Sequence, residues 1–281
     1  MSLLDRIDEC NAHDLAGFRP FTVDGARVGW VRHGFADILA GFDGVFEFAP
    51  DAVRLGAALG DYRARTEAVD RVLLRLAADG VIDGWRGEPY PVGAGFQAPA
   101  LFEMERAAVP RFGVAAYGIH VNGFIRRDDG IHMWIARRAA DKQTYAGQLD
   151  NMIAGGQPVG IGLMDNVVKE AGEEAAVPPG LARTAQPVGA ISYCFEAPDG
   201  LRPDVMFCYD LELPHDFTPR NNDGEVAEFN LLPAAEVMRI TAETTAFKFN
   251  CNLVNIDFFV RHGLLTPDHA DYVDIQRGLH R

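Results

Sequence analysis

The sequence predicts an α+β protein of two domains, and three observations predict it. At 281 residues the chain is longer than one compact core usually requires. Apolar residues recur at helical spacing in some segments and alternate in others. A glycine- and proline-rich stretch at 84–100 then separates a mixed first part from a strand-rich second part. The boundary falls near Val109-Pro110, which gives a small α+β domain at 1–115 and a second domain at 116–281. Hydrophobic residues at 48% and charged residues at 23% are ordinary for a soluble globular protein.

Taken in order, Leu3, Leu4, Ile7 and Leu15 have roughly helical spacing. Strands are expected at 21–23 and 27–31, joined at Asp24-Gly25, a strong hairpin turn. A helix is expected over 51–79, broken near Gly60. Val69, Val72, Leu73, Leu76 and Ala77 line its face and Gly80 stops it. Residues 84–100 read as loop and 101–106 as one more strand. In the second domain, 117–127 and 132–138 are strands about the turn Asp128-Asp129-Gly130, followed by a loop to about 150. A helix spans about 164–176, stopped by Pro178-Pro179. Strands at 188–195, 205–213 and 226–232 follow, then helices at about 234–238, 250–261 and 267–279.

The formal charge of -14 excludes easy binding to nucleic acid or anionic membranes, so neither is expected as a partner. An anionic substrate then needs a local cationic patch or a metal. No apolar run approaches the ~18 residues of a membrane span. The start, MSLLDRIDEC, is too acidic to read as a secretory signal, so a cytoplasmic protein is expected. Cys10, Cys194, Cys208 and Cys251 form no CxxC pair and read as reduced, buried thiols. The eight histidines are scattered, so no histidine metal site is expected.

The chemistry lies in residues 169–176, KEAGEEAA. On a helix, Glu170, Glu173 and Glu174 stand at i, i+3 and i+4 and project from one face. Three like charges on one ridge repel, and a hard cation such as Mg2+ or Mn2+ relieves that repulsion. Such an ion grips a diphosphate and activates water. The alternative is a plain solvated helix face.

The context of the triple decides between these. Residues 155–177 resemble the Nudix box: G, five residues, E, seven residues, REUxEExGU, with U aliphatic. Gly155 takes the first glycine, Glu170, Glu173 and Glu174 the three metal-binding glutamates in register, and Val177 the final U. Ile161 replaces the first glutamate, Lys169 the arginine and Ala176 the last glycine. In the family the first two of these mainly buttress the metal site. The resemblance implies the Nudix α/β/α sandwich for the second domain.

A narrower resemblance spans nearly the whole chain. Residues 134–138 (WIARR), 149–151 (LDN), 154–156 (AGG), 169–170 (KE), 223–226 (DGEV), Phe247-Lys248 and Asn250-Cys251 look like one Nudix subfamily. It includes the Nudix domain joined to fungal thiamine pyrophosphokinase. Its members carry an N-terminal domain of unassigned function, which residues 1–115 resemble. They use lysine at the arginine position and lack the first glutamate. Ala146 and Phe249 stand where prolines are expected.

The resemblance implies a Mg2+-dependent hydrolase of a small-molecule diphosphate, thiamine diphosphate or its oxidised forms, giving the monophosphate. Glu170, Glu173 and Glu174 are the expected metal ligands. One of Glu173, Glu174 or Glu225 accepts a proton from the attacking water, and the sequence does not choose. Glu225 and Glu228 lie where the family often places a further ligand or base; the alternative is an acidic turn. One of Arg137 and Arg138, with Lys142, is expected to bind phosphate, against a surface charge pair. Lys248 and Asn250 are expected to touch substrate, against a helix start capped by Asn250. Trp30, Trp85 and Trp134 read as core before ring-stacking residues. The first domain serves either the substrate pocket or a homodimer interface. Two other readings stand: a nucleotide-sugar, ADP-ribose or dinucleotide pyrophosphatase, and a Nudix-fold ligand sensor that binds without cutting.

Overall fold

The computed structural model describes residues 1–280. The chain opens with α1 (Leu3–Cys10), where Ser2 and Asp5 form a reciprocal capping box. Strands β1 (Phe18–Val23) and β2 (Ala26–Arg32) form the expected hairpin, with Asp24 and Gly25 both at positive φ, as a primed turn requires. Next come α2 (His33–Leu39), β3 (Phe46–Ala49), β4 (Ala52–Leu55) and α3 (Tyr62–Ala78). The four strands make one sheet in the order β2-β1-β4-β3. Val69, Val72, Leu73 and Leu76 of α3 share a core with Phe21, Phe46, Phe102 and Phe112.

The helix expected at 51–79 is therefore corrected: only the part after the expected break near Gly60 is helical. Val53 and Leu55 are buried while Arg54 between them is exposed, the two-residue alternation of a strand. The helix starts only after Asp61, whose carboxylate accepts from the Ala64 N–H at 2.8 Å. The 84–100 loop also contains β5 (Pro89–Val92), which pairs with β6 (Phe102–Glu105) as a separate ribbon. A short α4 (Val109–Phe112) leads into the second domain.

That domain contains β7 (Tyr117–Arg127), β8 (Gly130–Arg138), β9 (Leu149–Asp150), β10 (Ile153–Gly156), α5 (Leu163–Ala175), α6 (Pro179–Ala182), β11 (Gln186–Ala197), β12 (Gly200–Glu212), β13 (Val226–Pro233), α7 (Ala234–Glu243), α8 (Cys251–Arg261) and α9 (Tyr272–Gly278). Its seven-stranded mixed sheet runs β11-β12-β7-β8-β13, with β10 on β7 and β9 on β8. Helix α5 covers one face. Helices α7, α8 and α9 cover the other, through Val237, Val254, Phe258 and Ile275. The sheet between two helical layers is the sandwich expected from the sequence. Among the described residues no helix is long and apolar enough to cross a membrane.

Helix α1 does not pack with the rest of the first 115 residues. Leu3, Ile7 and Cys10 lie in the core around α8. Buried Arg6 donates to the carbonyls of Thr241 at 3.0 Å and Thr244 at 2.5 Å, closing the end of α7. Burying a Leu or Ile side chain stabilises by roughly 1.5–3 kcal/mol, so the second core depends on the first helix. The two halves also meet directly: Arg32 pairs with Glu196 at 2.9 Å, and Gly200 is pressed on the Pro110 carbonyl where a Cβ would overlap it.

Candidate active site

Strands β7 and β8 pair with each other only near their hairpin, from Phe124 opposite Met133 to Arg127 opposite Gly130. Beyond that they diverge, and segment 149–156 fills the gap as β9 and β10. Helix α5 lies on this junction. Val167, Ala171 and Ala175, four apart, bury against Ile119, Val121 and Ile153 and fix its rotation. Glu170 and Glu174, one turn apart, then face β10. Gly155 passes so close that a Cβ there would overlap the Glu170 carboxyl group. Glu174 is only 8% exposed and accepts from the Ala154 N–H at 2.9 Å. Glu173 turns outward, its side chain 48% exposed, and pairs with Lys169 at 2.6 Å. Lys169 Nζ also reaches Glu170 at 3.0 Å. Asn166 donates to the Gly156 carbonyl at 2.8 Å and to Gln157, holding the loop before the helix.

Burial pushes the Glu174 carboxyl well above the usual carboxylate range, opposed by the Ala154 N–H and reinforced by Asp150, Glu170 and Glu225. Burial also raises Glu170, against the hydrogen bond and charge of Lys169. Glu225, from the loop before β13, is pushed up by burial but held lower overall by its hydrogen bond to Lys142 and by Arg138 and Arg106. Glu170, Glu174 and Glu225 thus form one cluster whose negative charge the protein only partly neutralises. The donors are hard oxygens, the set that Mg2+ or Mn2+ takes, so the residues fit such an ion.

The other expected residues separate. Arg138 donates to Asp150 at 2.8 Å and to the carbonyls of Thr144 and Tyr145, so it ties the 139–148 loop to β9. Arg137 pairs with Glu228 at 2.7 Å across β8 and β13, a partly exposed cross-strand ion pair. Glu228 therefore sits on a strand, away from the downstream loop where the family places its further ligand. Lys248 follows the point where Leu149 bridges to Phe247, and its charge is the strongest of those holding Asp150 down. Asn250 precedes α8 but makes no side-chain cap; its amide donates to the Tyr193 hydroxyl at 3.3 Å. Trp30 lies under Arg27, Trp134 packs partly buried beside the α5 core, and Trp85 is exposed.

Several site residues escaped the sequence reading. His120, Asp150 and Cys251 bring one ligand atom each within 4.8 Å of one another. Their atoms are already committed: His120 Nδ1 contacts Asn151 Oδ1 at 2.8 Å, and the Cys251 thiol donates to Asp150 at 2.7 Å. With Arg138 and Lys248 adding positive charge, the trio is a buried hydrogen-bond hub. Asn151 extends it to Asn122 and Asn255. The alternation of His120 and Asn122 on β7 was its signal, two polar residues on one face of an apolar strand. All four cysteines are free thiols, Cys194 only half-buried.

Two further walls complete the cleft. Phe249 packs against Tyr145, Tyr193 and Phe195 with ring centroids 5.0–5.8 Å apart. The Tyr193 hydroxyl donates to Asp204 at 3.0 Å. The second wall comes from the β5–β6 ribbon. A Cβ on Gly156 would overlap the Tyr90 hydroxyl and stand 3.5 Å from the Arg106 guanidinium carbon. Burial pushes the Tyr90 hydroxyl up to about 12, with Glu88, Asp204 and Glu170 adding to it and Arg106 opposing. Glu170 and Asp204 thus both act on Tyr90.

Residues 2–116 match a family described as a domain of unknown function (DUF4743). The whole chain is similar to Nudix hydrolase 24, chloroplastic, of Arabidopsis thaliana, 44% identical over 98% of this chain and 77% of that protein. Nudix hydrolase 20, chloroplastic, of the same plant is 42% identical over 98% of this chain and 76% of its own length. Among solved structures, the NUDIX domain of Shewanella oneidensis NrtR complexed with ADP ribose is 15% identical, covering 55% of this chain and 91% of that one at a TM-score of 0.43.

Proposed function

The chain belongs to the Nudix hydrolases, and from that premise we propose that it cuts the diphosphate of a small aromatic compound to the monophosphate: thiamine diphosphate, whose ring is cationic, or its oxidised forms, which lack that ring charge. One observation carries the reading: Glu170 and Glu174 converge on the glycine strand β10 with charge that Lys169 only partly neutralises, in a domain that also holds a cluster of four aromatic rings and Asp204. A Mg2+ or Mn2+ ion would be held by Glu170 and Glu174, with Glu173 joining them only if it leaves its Lys169 pair, and would supply charge neutralisation and an acidified water. The protein residues do the rest. Glu225, kept ionised by Lys142, stands on a loop where it accepts a proton. Asp150, aligned by Arg138 and Lys248, orders the buried hub near Glu174. Phe249 and Tyr145 offer ring faces to an aromatic cation, backed by buried Tyr193, and Asp204 offers it a carboxylate.

The test compares kcat/KM for thiamine diphosphate, its oxo and oxy forms, ADP-ribose and a nucleoside triphosphate at one Mg2+ concentration. Thiamine compounds are expected to lead. A lead of about tenfold for ADP-ribose or the triphosphate, ~1.4 kcal/mol of transition-state preference, rejects the thiamine reading.

A further inference from the structure

We propose that Arg106, carried to the cleft by the N-terminal domain, is a substrate-binding residue that grips a phosphate oxygen of the diphosphate. The inference rests on the hydrolase reading above. Arg106 follows β6 directly, and the β5–β6 ribbon is clamped on the cleft by Tyr90, buried against Gly156. The Arg106 guanidinium lies 5.7 Å from the Tyr90 ring centroid. One of its nitrogens meets Glu88 at 2.9 Å; the other N–H groups have no hydrogen-bond partner among the described residues. The side chain is 41% exposed, so a ligand in the cleft reaches it. Arg106 stands beside Gly156, the residue after the one that abuts Glu170, and Glu170 and Glu225 are within electrostatic reach of its charge.

Of the other cations around the site, Lys248 bears on Asp150 and the rest are paired within the site. Lys169 is shared by Glu170 and Glu173, Lys142 is taken by Glu225, and Arg138 by Asp150 and two carbonyls. In a chain of charge -14, a diphosphate entering among carboxylates needs a cation that the cluster has not already taken, and the partner of Arg106, Glu88, is not part of that cluster. Arg106 offers that cation as a planar fork with spare donors, the geometry that matches phosphate oxygens. The N-terminal domain is then part of the active site rather than an appendage.

The experiment measures calorimetric affinity of the full-length protein for imidodiphosphate, a non-hydrolysable inorganic diphosphate, in Mg2+. Arg106→Ala is expected to weaken binding by at least about tenfold, and Arg106→Lys by an intermediate factor of about three. Glu88→Gln, which frees the guanidinium, is expected to bind as tightly as wild type or tighter. Folded Arg106→Ala that binds within twofold of wild type overturns the inference. So does an equal loss in Glu88→Gln, because a strut would need both partners of the pair. If Arg106→Ala does not fold, Arg106→Lys decides: unchanged affinity overturns the proposal. Glu174→Gln, assayed alongside for Mg2+-dependent hydrolysis, separates the two readings. Activity lost there with affinity intact in Arg106→Ala defeats this inference alone, whereas activity retained in Glu174→Gln defeats the hydrolase site itself. A wild type that does not bind imidodiphosphate defeats both.

Discussion

Glu170, Glu173 and Glu174 are one signal in the sequence but occupy three environments. Glu174 is buried with a single N–H for company, so its charge is a cost until a cation arrives. Glu174→Gln is therefore expected to lose at least ~100-fold in turnover, and with a chelator present to melt at or above the wild-type temperature. Mg2+ should raise the wild-type melting temperature and leave that of the variant unchanged; scanning calorimetry in both conditions checks the pair of outcomes. The buried hub responds to acid. Burial, then Lys248, holds His120 down at about 4, with Asp150 and Asn151 opposing, whereas an unfolded histidine titrates near 6.5. Between these values the unfolded chain binds the extra proton, so stability rises with pH across that window. Acidifying from about pH 6.5 to pH 4 should cost up to about 3 kcal/mol from this residue. Denaturant melts at several pH values, with His120→Gln flattening the slope, are the check. The glutamates were legible because a helix presents i, i+3 and i+4 together. Tyr90 and Arg106 were not, since their place beside Gly156 is set by domain packing; only the second glycine of the 155–156 pair marked where another segment approaches.

Helix α5 was legible to within one residue at each end, because its apolar spacing and the Pro178-Pro179 stop agree. Its terminus keeps a fault the sequence had flagged. Ala176 stands where the family has glycine, and it is left-handed at φ 52°. Ala176→Gly should stabilise the protein by about 0.5–1 kcal/mol, visible as a rise of roughly 2 °C in melting temperature. No change or a fall would contradict the strain. Other elements were misread for reasons of length. Strand β4 is four residues of which three are buried, too short to separate by period from the helix that follows. Strands β9 and β10 exist because β7 and β8 diverge, a tertiary fact that no local pattern encodes.

At the scale of the molecule, α1 belongs to the second core and the β5–β6 ribbon walls the site, so the first 115 residues are not detachable. A protein beginning at residue 112 loses Leu3, Ile7 and Cys10 from around α8 and exposes Gly156. It should lose cooperative melting in calorimetry, and a fusion of residues 1–12 to its start should restore part of that transition. A truncated protein as stable as the whole would refute the dependence. The sequence drew a boundary near 110 from composition, and composition carries no record of a helix whose partners lie more than two hundred residues away. That separation has a consequence during synthesis. Gly278 of α9 rests on the Ile7 side chain of α1, so α1 waits for a helix made more than 250 residues after it. The four-stranded sheet can close while translation continues, but the helical layer that holds α1 stays open until α9 has emerged. A nascent chain stalled before α9 should therefore remain protease-sensitive at α1 and slow to gain enzymatic competence, however completely its glutamates have already been translated.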